Sequence, residues 1–141
     1  MCVSLDESII PLFLLKCWAK NDDKLVYLVR GELVDLATKH CVPCEGEDPP
    51  LTNTEEEKFK KEVPDWELLR NGKHKVKRQF KFKNFRESLA FVNKVSEIAE
   101  SEGHHPDIYI FYNKVNLELF THAVGGLSEN DFIMAAKIDK I

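Results

Sequence analysis

Polar and apolar positions in this chain follow two periods, and the change from one to the other marks its elements. Three times a residue with a capping side chain is followed three positions later by an acid: Thr52 and Glu55, Asn84 and Glu87, Ser128 and Asp131. Such a pair satisfies the unpaired N–H groups that open a helix, so helices are expected over residues 53–63, 85–101 and 129–139. The first is strongly charged, with Phe59 and Val63 as its sparse apolar positions, and Pro64 ends it. It reads as a surface helix. The second sets Phe85, Leu89, Val92, Val95 and Ala99 at three- and four-residue spacing and reads as the central, core-facing helix. The third offers Phe132, Ala135, Ala136 and Ile138 for close packing on a sheet.

Between the helices the period falls to two. Residues 66–70 and 75–82 flank Asn71-Gly72, a pair suited to a hairpin turn because both residues tolerate positive φ. Val76, Arg78, Phe80 and Phe82 alternate there with Lys75, Lys77, Gln79 and Lys81, giving one mostly apolar face and one basic face read as solvated. A second hairpin is expected from residues 107–112, a turn at Asn113-Lys114 and residues 115–122, with Val115, Leu117, Leu119 and Thr121 on one face. The order α-β-β-α-β-β-α predicts an α+β fold, a four-stranded, mainly antiparallel sheet with three helices on one face. The uncovered face or edge of such a sheet needs a partner, and self-association supplies one economically.

The first part of the chain is less patterned. Residues 25–30 fit a strand and 32–39 a short helix, without clear start or stop signals, and residues 1–39 are read as an N-terminal extension preceding a domain over 40–141. The apolar run 9–15 contains Pro11, is broken by Lys16 and follows Asp6 and Glu7, which fits neither a secretion signal nor a membrane span. His40-Cys41-Val42-Pro43-Cys44-Glu45-Gly46-Glu47-Asp48-Pro49-Pro50 has linker composition. Its Cys-x-x-Cys has zinc or redox spacing, but no second ligand pair follows, so a structural loop is the expectation and no metal is. The 141 residues, 43% of them hydrophobic, suffice for one domain with a real core. Twenty basic against 24 acidic residues, a net charge of −4, argue against a dominant nucleic-acid surface. Four cysteines without a secretion signal suggest reduced thiols and a cytoplasmic protein.

Candidate chemistry gathers at Glu100-Ser101-Glu102-Gly103-His104-His105-Pro106-Asp107 and at Thr121-His122. A tight turn about Asn113 sets His104 opposite His122, while Pro106 extends the backbone at His105, so both adjacent histidines enter one pocket only if Gly103 bends the chain. Glu100 is placed to orient an imidazole, and Asp131 is at least a capping acid. Imidazole titrates near ~6.5 and exchanges protons at neutral pH, so two in one cleft can act as acid and base. With no evident nucleophile motif and no phosphate-binding glycine loop, acid–base catalysis is the better enzyme class; a non-catalytic binding domain is the other reading.

Gly103-His104-His105-Pro106-Asp107, Tyr112-Asn113-Lys114-Val115, Thr121-His122, Gly125-Gly126-Leu127-Ser128 with Asp131, and Ala135-Ala136-Lys137-Ile138-Asp139 together resemble the pterin-4a-carbinolamine dehydratase family. The resemblance reaches upstream through Phe80-Lys81-Phe82, Asp65-Trp66 and Cys41-Val42-Pro43-Cys44. It implies dehydration of 4a-hydroxytetrahydrobiopterin, or a related tetrahydropterin carbinolamine, to the quinonoid dihydropterin, recycling the cofactor of aromatic amino acid hydroxylases. It further implies catalytic roles for His104, His105 and His122, support from Glu100 and Asp131, and substrate binding by His105, Pro106 and Thr121. No metal or bound cofactor is implied, and a homodimer or homotetramer is. Ile108, Ile110 and Phe120 depart from the family pattern, and Phe120 beside His122 is expected to narrow the pocket. The same fold resembles a dimerisation cofactor of a transcription factor, and an accessory role in another pterin pathway, such as that of molybdopterin, is a further alternative.

Overall fold

Each predicted cap opens a helix in the computed structural model, which describes residues 35–43 and 49–141. Helix α1 is Asn53–Lys60, α2 Phe85–Glu102 and α3 Glu129–Ile138. At α1 the Thr52 hydroxyl accepts from the Glu55 N–H while the Glu55 carboxylate accepts from the Thr52 N–H. At α2 the Asn84 side-chain oxygen Oδ1 accepts from the Glu87 N–H at 3.0 Å. Strands β1 (Glu67–Leu69), β2 (Lys75–Lys81), β3 (Asp107–Phe111) and β4 (Lys114–Leu119) form one sheet in the order β1-β2-β4-β3, antiparallel throughout. The three helices and the antiparallel sheet, in the order α-β-β-α-β-β-α, are the architecture the sequence predicts.

The core lies between sheet and helices. Val76, Val115, Leu117 and Leu119 face inward from the strands, and Val95, Ala99, Phe132, Met134 and Ala135 meet them. The aromatic run Trp66, Phe80, Phe91 and Phe82, with successive ring centroids 6.2, 4.6 and 5.0 Å apart, ties α2 to β2. Arg78, the odd charge on the apolar face of β2, pairs with Asp65 at 3.0 Å and Asp139 at 2.5 Å, and Asp139 also accepts from the Trp66 indole at 2.8 Å. Helix α1 is less superficial than its charge suggests. Glu56 is fully buried and accepts from Arg70 at 2.9 Å, with the His74 ring at 2.7 Å, clamping α1 to the β1–β2 loop.

Several local expectations change. The central helix buries Ser88, Phe91, Val95 and Ala99, whereas Phe85 and Leu89 are 45% and 38% exposed, because the sheet lies against a stripe displaced around the helix. Asn71-Gly72 is not a two-residue turn: Leu69 pairs with Lys75, leaving a five-residue loop, with Gly72 at φ +86°. The second hairpin turns at Tyr112-Asn113, with Tyr112 at φ 50°, so Phe111 pairs with Lys114 and Asp107 with Glu118. That register sets Ile108 beside Leu117 and Ile110 beside Val115, apolar against apolar; the turn about Asn113 would have set Ile108 against Glu118. Strand β4 stops at Leu119, and Thr121 is joined to Gly126 by an isolated bridge.

The chain divides into Met1–Leu33 and Val34–Ile141, and every described residue belongs to the second unit. The strand expected at 25–30 lies outside the described residues, as do Cys2, Cys17 and Cys44. Of the helix expected over 32–39, the described part is one 3₁₀ turn, Leu36–Thr38, with Leu36 buried in the core.

Candidate active site

Helix α2 ends because Gly103 adopts the left-handed conformation, φ 64° and ψ 23°. That bend turns the chain so that His104 and His105 both line one cleft of about 420 Å³. Phe120, Thr121, His122 and Ala123, in the turn after β4, line its second side, and Cys41, Val42 and Pro43 a third. Among the described residues no group of His, Cys, Asp and Glu has an arrangement able to hold a metal ion.

His104 is the best-fixed member. Its Nε2 lies 2.7 Å from Oδ1 of Asp131, which is fully buried, and only 12% of the histidine side chain is exposed. The other carboxylate oxygen, Oδ2, accepts from the Thr121 hydroxyl at 2.9 Å and from the Ser128 N–H at 2.8 Å. Asp131 is thus the expected capping acid and, through its second oxygen, the group that orients His104. Because a carboxylate only accepts, Nε2–H donates, and the neutral ring keeps its lone pair on Nδ1.

The other predicted residues are placed differently. His105 Nε2 meets Glu100 Oε1 at 2.8 Å, with the side chains 59% and 75% exposed, so Glu100 orients the outer histidine at the rim. The His122 ring packs on Phe120 at a centroid distance of 4.1 Å. His104 and His122 share the cleft but are not a cross-strand pair, since the β3–β4 ladder ends at Asp107 and Glu118. Thr121 lines the cleft, is 4% exposed and commits its hydroxyl to Asp131 and to the Ser128 hydroxyl at 2.7 Å. Pro106, Glu100 and Asp131 are not among the lining residues; Asp131 supports from behind.

The sequence missed the third side. Glu102, with a 6% exposed side chain, accepts from the Cys41 N–H at 2.8 Å and pairs with Lys137 at 3.0 Å and His40 at 3.1 Å. Burial pushes the Glu102 carboxyl up, but the Cys41 N–H, the Lys137 ammonium and the His40 ring together outweigh it and hold the group below the usual carboxylate value. The one available signal was the Cys41-Val42-Pro43-Cys44 motif, whose linker composition concealed it.

Comparison with known proteins identifies the family. Residues 49–141 match the sequence model of the family described as pterin 4 alpha carbinolamine dehydratase. A protein of Methylococcus capsulatus, provisionally named pterin-4-alpha-carbinolamine dehydratase, is 52% identical over 106 residues, covering 75% of this chain and 92% of its own. One of the same provisional name from Rubrobacter xylanophilus is 46% identical over 107 residues, covering 76% and 98%. The crystal structure of a transcriptional coactivator/pterin dehydratase from Brucella melitensis superposes with a TM-score of 0.61 at 32% identity, covering 64% of this chain and 96% of that one. These matches show that the chain, with the fold described above, belongs to the pterin 4 alpha carbinolamine dehydratase family.

Proposed function

We propose that the cleft dehydrates a 4a-hydroxytetrahydropterin, such as 4a-hydroxytetrahydrobiopterin, to the quinonoid dihydropterin and water, so that the protein is a hydro-lyase. The observation that carries this reading is the 2.7 Å contact between His104 and the buried Asp131, in a cleft shared with His105 and His122. The carbon–oxygen bond at C4a breaks with its electron pair going to oxygen, and the hydroxyl leaves as water after taking a proton. The neighbouring ring nitrogen gives up a proton as its lone pair forms the new C=N bond. One proton enters, one leaves, and nothing is oxidised or reduced.

His104 suits the base, because Asp131 fixes its tautomer and offsets the positive charge that develops when the ring takes a proton. His122, exposed and lining the same cleft, suits the acid, since solvent can reprotonate it. His105, oriented by Glu100, with Pro106 behind it, holds the substrate at the rim, and Thr121 positions Asp131. The domain expected over residues 40–141 carries this chemistry, and the 3₁₀ turn Leu36–Thr38, with Leu36 in the core, belongs with it rather than with the extension expected over 1–39. The test is the rate of dehydration of freshly made 4a-hydroxytetrahydropterin. Wild type is expected to exceed the spontaneous rate and His104→Ala to lose about 100- to 10,000-fold. Equal rates for the two would refute the assignment.

One observation favours an additional, non-catalytic role. Strand β3 is a sheet edge, and Ile110, Phe111 and Tyr112 are 37%, 59% and 68% exposed there, beside Phe85 stacked on Tyr112 at 6.5 Å. An apolar edge suits self-association into a homodimer or homotetramer. Light scattering is expected to find an oligomer that Phe111→Lys weakens. No described helix is long and apolar enough to cross a membrane, and a cytoplasmic role in recycling pterin for an aromatic amino acid hydroxylase fits the proposed chemistry.

A further inference from the structure

Residues 39–43 have the composition of a solvated linker, yet helices α2 and α3 grip their backbone. The Lys39 ammonium pairs with Glu129 at 2.5 Å, and the Cys41 N–H donates to Glu102 at 2.8 Å. The Asn130 side chain then takes both polar groups of Val42: its carbonyl oxygen accepts from the Val42 N–H at 3.1 Å, and its NH₂ donates to the Val42 carbonyl at 2.7 Å. Asn130 is 3% exposed and the Glu102 side chain 6%, so two buried polar groups are committed to this segment. Burying such groups is unfavourable unless they are bonded, and most buried polar groups serve to hold packed elements together. Val42, however, is 67% exposed and adds little to the core. What its placement achieves is a part of the cleft wall, since Cys41, Val42 and Pro43 line the same cleft as the histidines.

The anchors also couple this segment to the chemistry. Glu129, Asn130 and Asp131 are consecutive in the first turn of α3; the first holds Lys39, the second Val42 and the third His104. One rigid helical turn therefore fixes the spacing between an exposed apolar side chain and the proton-transfer ring. A flat bicyclic ring with apolar faces and a hydrogen-bonding rim is the kind of ligand that such a lining fits, with apolar contact from the strap and hydrogen bonds from the imidazoles.

We propose that residues 39–43 form a strap that is the substrate-fitting wall of the cleft, with Val42 as a specificity-determining residue and Asn130 and Glu102 as positioning residues acting through it. This rests on the pterin reading of the same site. In this reading the strap contributes to binding and leaves the proton transfers to the histidines, so its loss is felt in KM and ligand affinity and hardly in kcat.

The experiment measures dehydration kinetics, and binding of 7,8-dihydrobiopterin by calorimetry, for full-length wild type, Val42→Ala, Asn130→Ala and His104→Ala. Val42→Ala and Asn130→Ala are expected to raise KM and the dihydrobiopterin Kd by about five- to tenfold, the scale of losing one or two buried methyl contacts. Their kcat should stay within about twofold, while His104→Ala shows the opposite split. Wild-type KM and Kd in Val42→Ala overturn the proposal, as does a loss confined to kcat. Should Asn130→Ala fail to fold, Val42→Ala decides alone, since that side chain is exposed. If wild type binds the dihydropterin without dehydrating its substrate and Val42→Ala weakens binding, the strap stands and the dehydratase reading falls. If wild type dehydrates and Val42→Ala matches it in every constant, the reverse holds.

Discussion

Replacing Asp131 by Asn separates the two duties of this residue. The carboxylate accepts three hydrogen bonds, from Ser128 N–H, the Thr121 hydroxyl and His104 Nε2–H, at 2.8, 2.9 and 2.7 Å. An amide has one accepting oxygen. The Ser128 N–H can only donate, so the amide oxygen is drawn to that side and the amide NH₂ is turned on His104. Two donors then face each other, and the imidazole escapes by moving its proton to Nδ1 and accepting at Nε2. The nitrogen left to serve as base is now protonated. Loss of the base function is worth about 100- to 1,000-fold in kcat, or roughly 3–4 kcal/mol, with KM little changed. Stability falls as well, by about 1.5–3 kcal/mol for one charge-assisted bond, which for a domain of this size lowers Tm on the order of 10 °C. The assay is initial-rate dehydration of Asp131→Asn and wild type well below both melting temperatures, with ¹⁵N NMR of His104 to read the tautomer. A variant that melts lower but keeps wild-type kcat and the wild-type tautomer would reduce Asp131 to a helix cap and refute the reasoning.

Other outcomes rest on packing and charge elsewhere in the fold. A Cβ on Gly126 would lie 2.9 Å from the Cβ of Pro50, a ring that cannot rotate aside, so Gly126→Ala should cost about 1–3 kcal/mol and lower kcat by loosening the bridge to Thr121. Gly72→Ala, at φ +86° in open space, should cost only about 1 kcal/mol and leave kcat unchanged; equal urea midpoints for the two would contradict the packing argument. Phe120→Ser removes the ring against His122 and should lower KM for a substrate with a bulky side chain by roughly three- to tenfold; an unchanged KM means that Phe120 does not narrow the cleft. Burial pushes the Glu118 carboxyl up, but Lys75 at 2.5 Å and Lys77 at 3.3 Å outweigh it and hold the group below its ordinary 4.5. Its contribution to stability is therefore complete above about pH 4.5 and lost as pH falls through the lowered value, and Glu118→Gln should flatten that acid limb in a urea titration.

How far the sequence could be read depends on the distance over which each feature is determined. The helices were legible because each cap and its acid lie three residues apart, and the inward faces of β2 and β4 because Val76, Val115, Leu117 and Leu119 repeat with period two. The turns were read less well. Asn71-Gly72 carries the composition of a two-residue turn, but His74 is drawn to the buried Glu56, eighteen positions earlier, and the loop opens to accommodate that bond. Tyr112 takes a left-handed φ that nothing in a tyrosine advertises, and this alone shifts the hairpin by one residue.

The site divides in the same way. His104, His105 and Glu100 lie close together in sequence, so their association was readable; the assignment of Asp131 to His104, across 27 positions, was readable only as a helix cap. The strap was the least legible part, because its partners Glu102 and Asn130 lie 61 and 88 residues away from the atoms they hold. Local pattern describes what a segment can do in water, and residues 39–43 by that measure form a loop. Here the first turn of α3 offers Glu129 and Asn130, the end of α2 offers Glu102, and the strap runs where its Lys39, Cys41 and Val42 groups meet all three. The organising feature of the cleft is therefore that single turn, Glu129-Asn130-Asp131, which holds part of its wall and His104 at the same time.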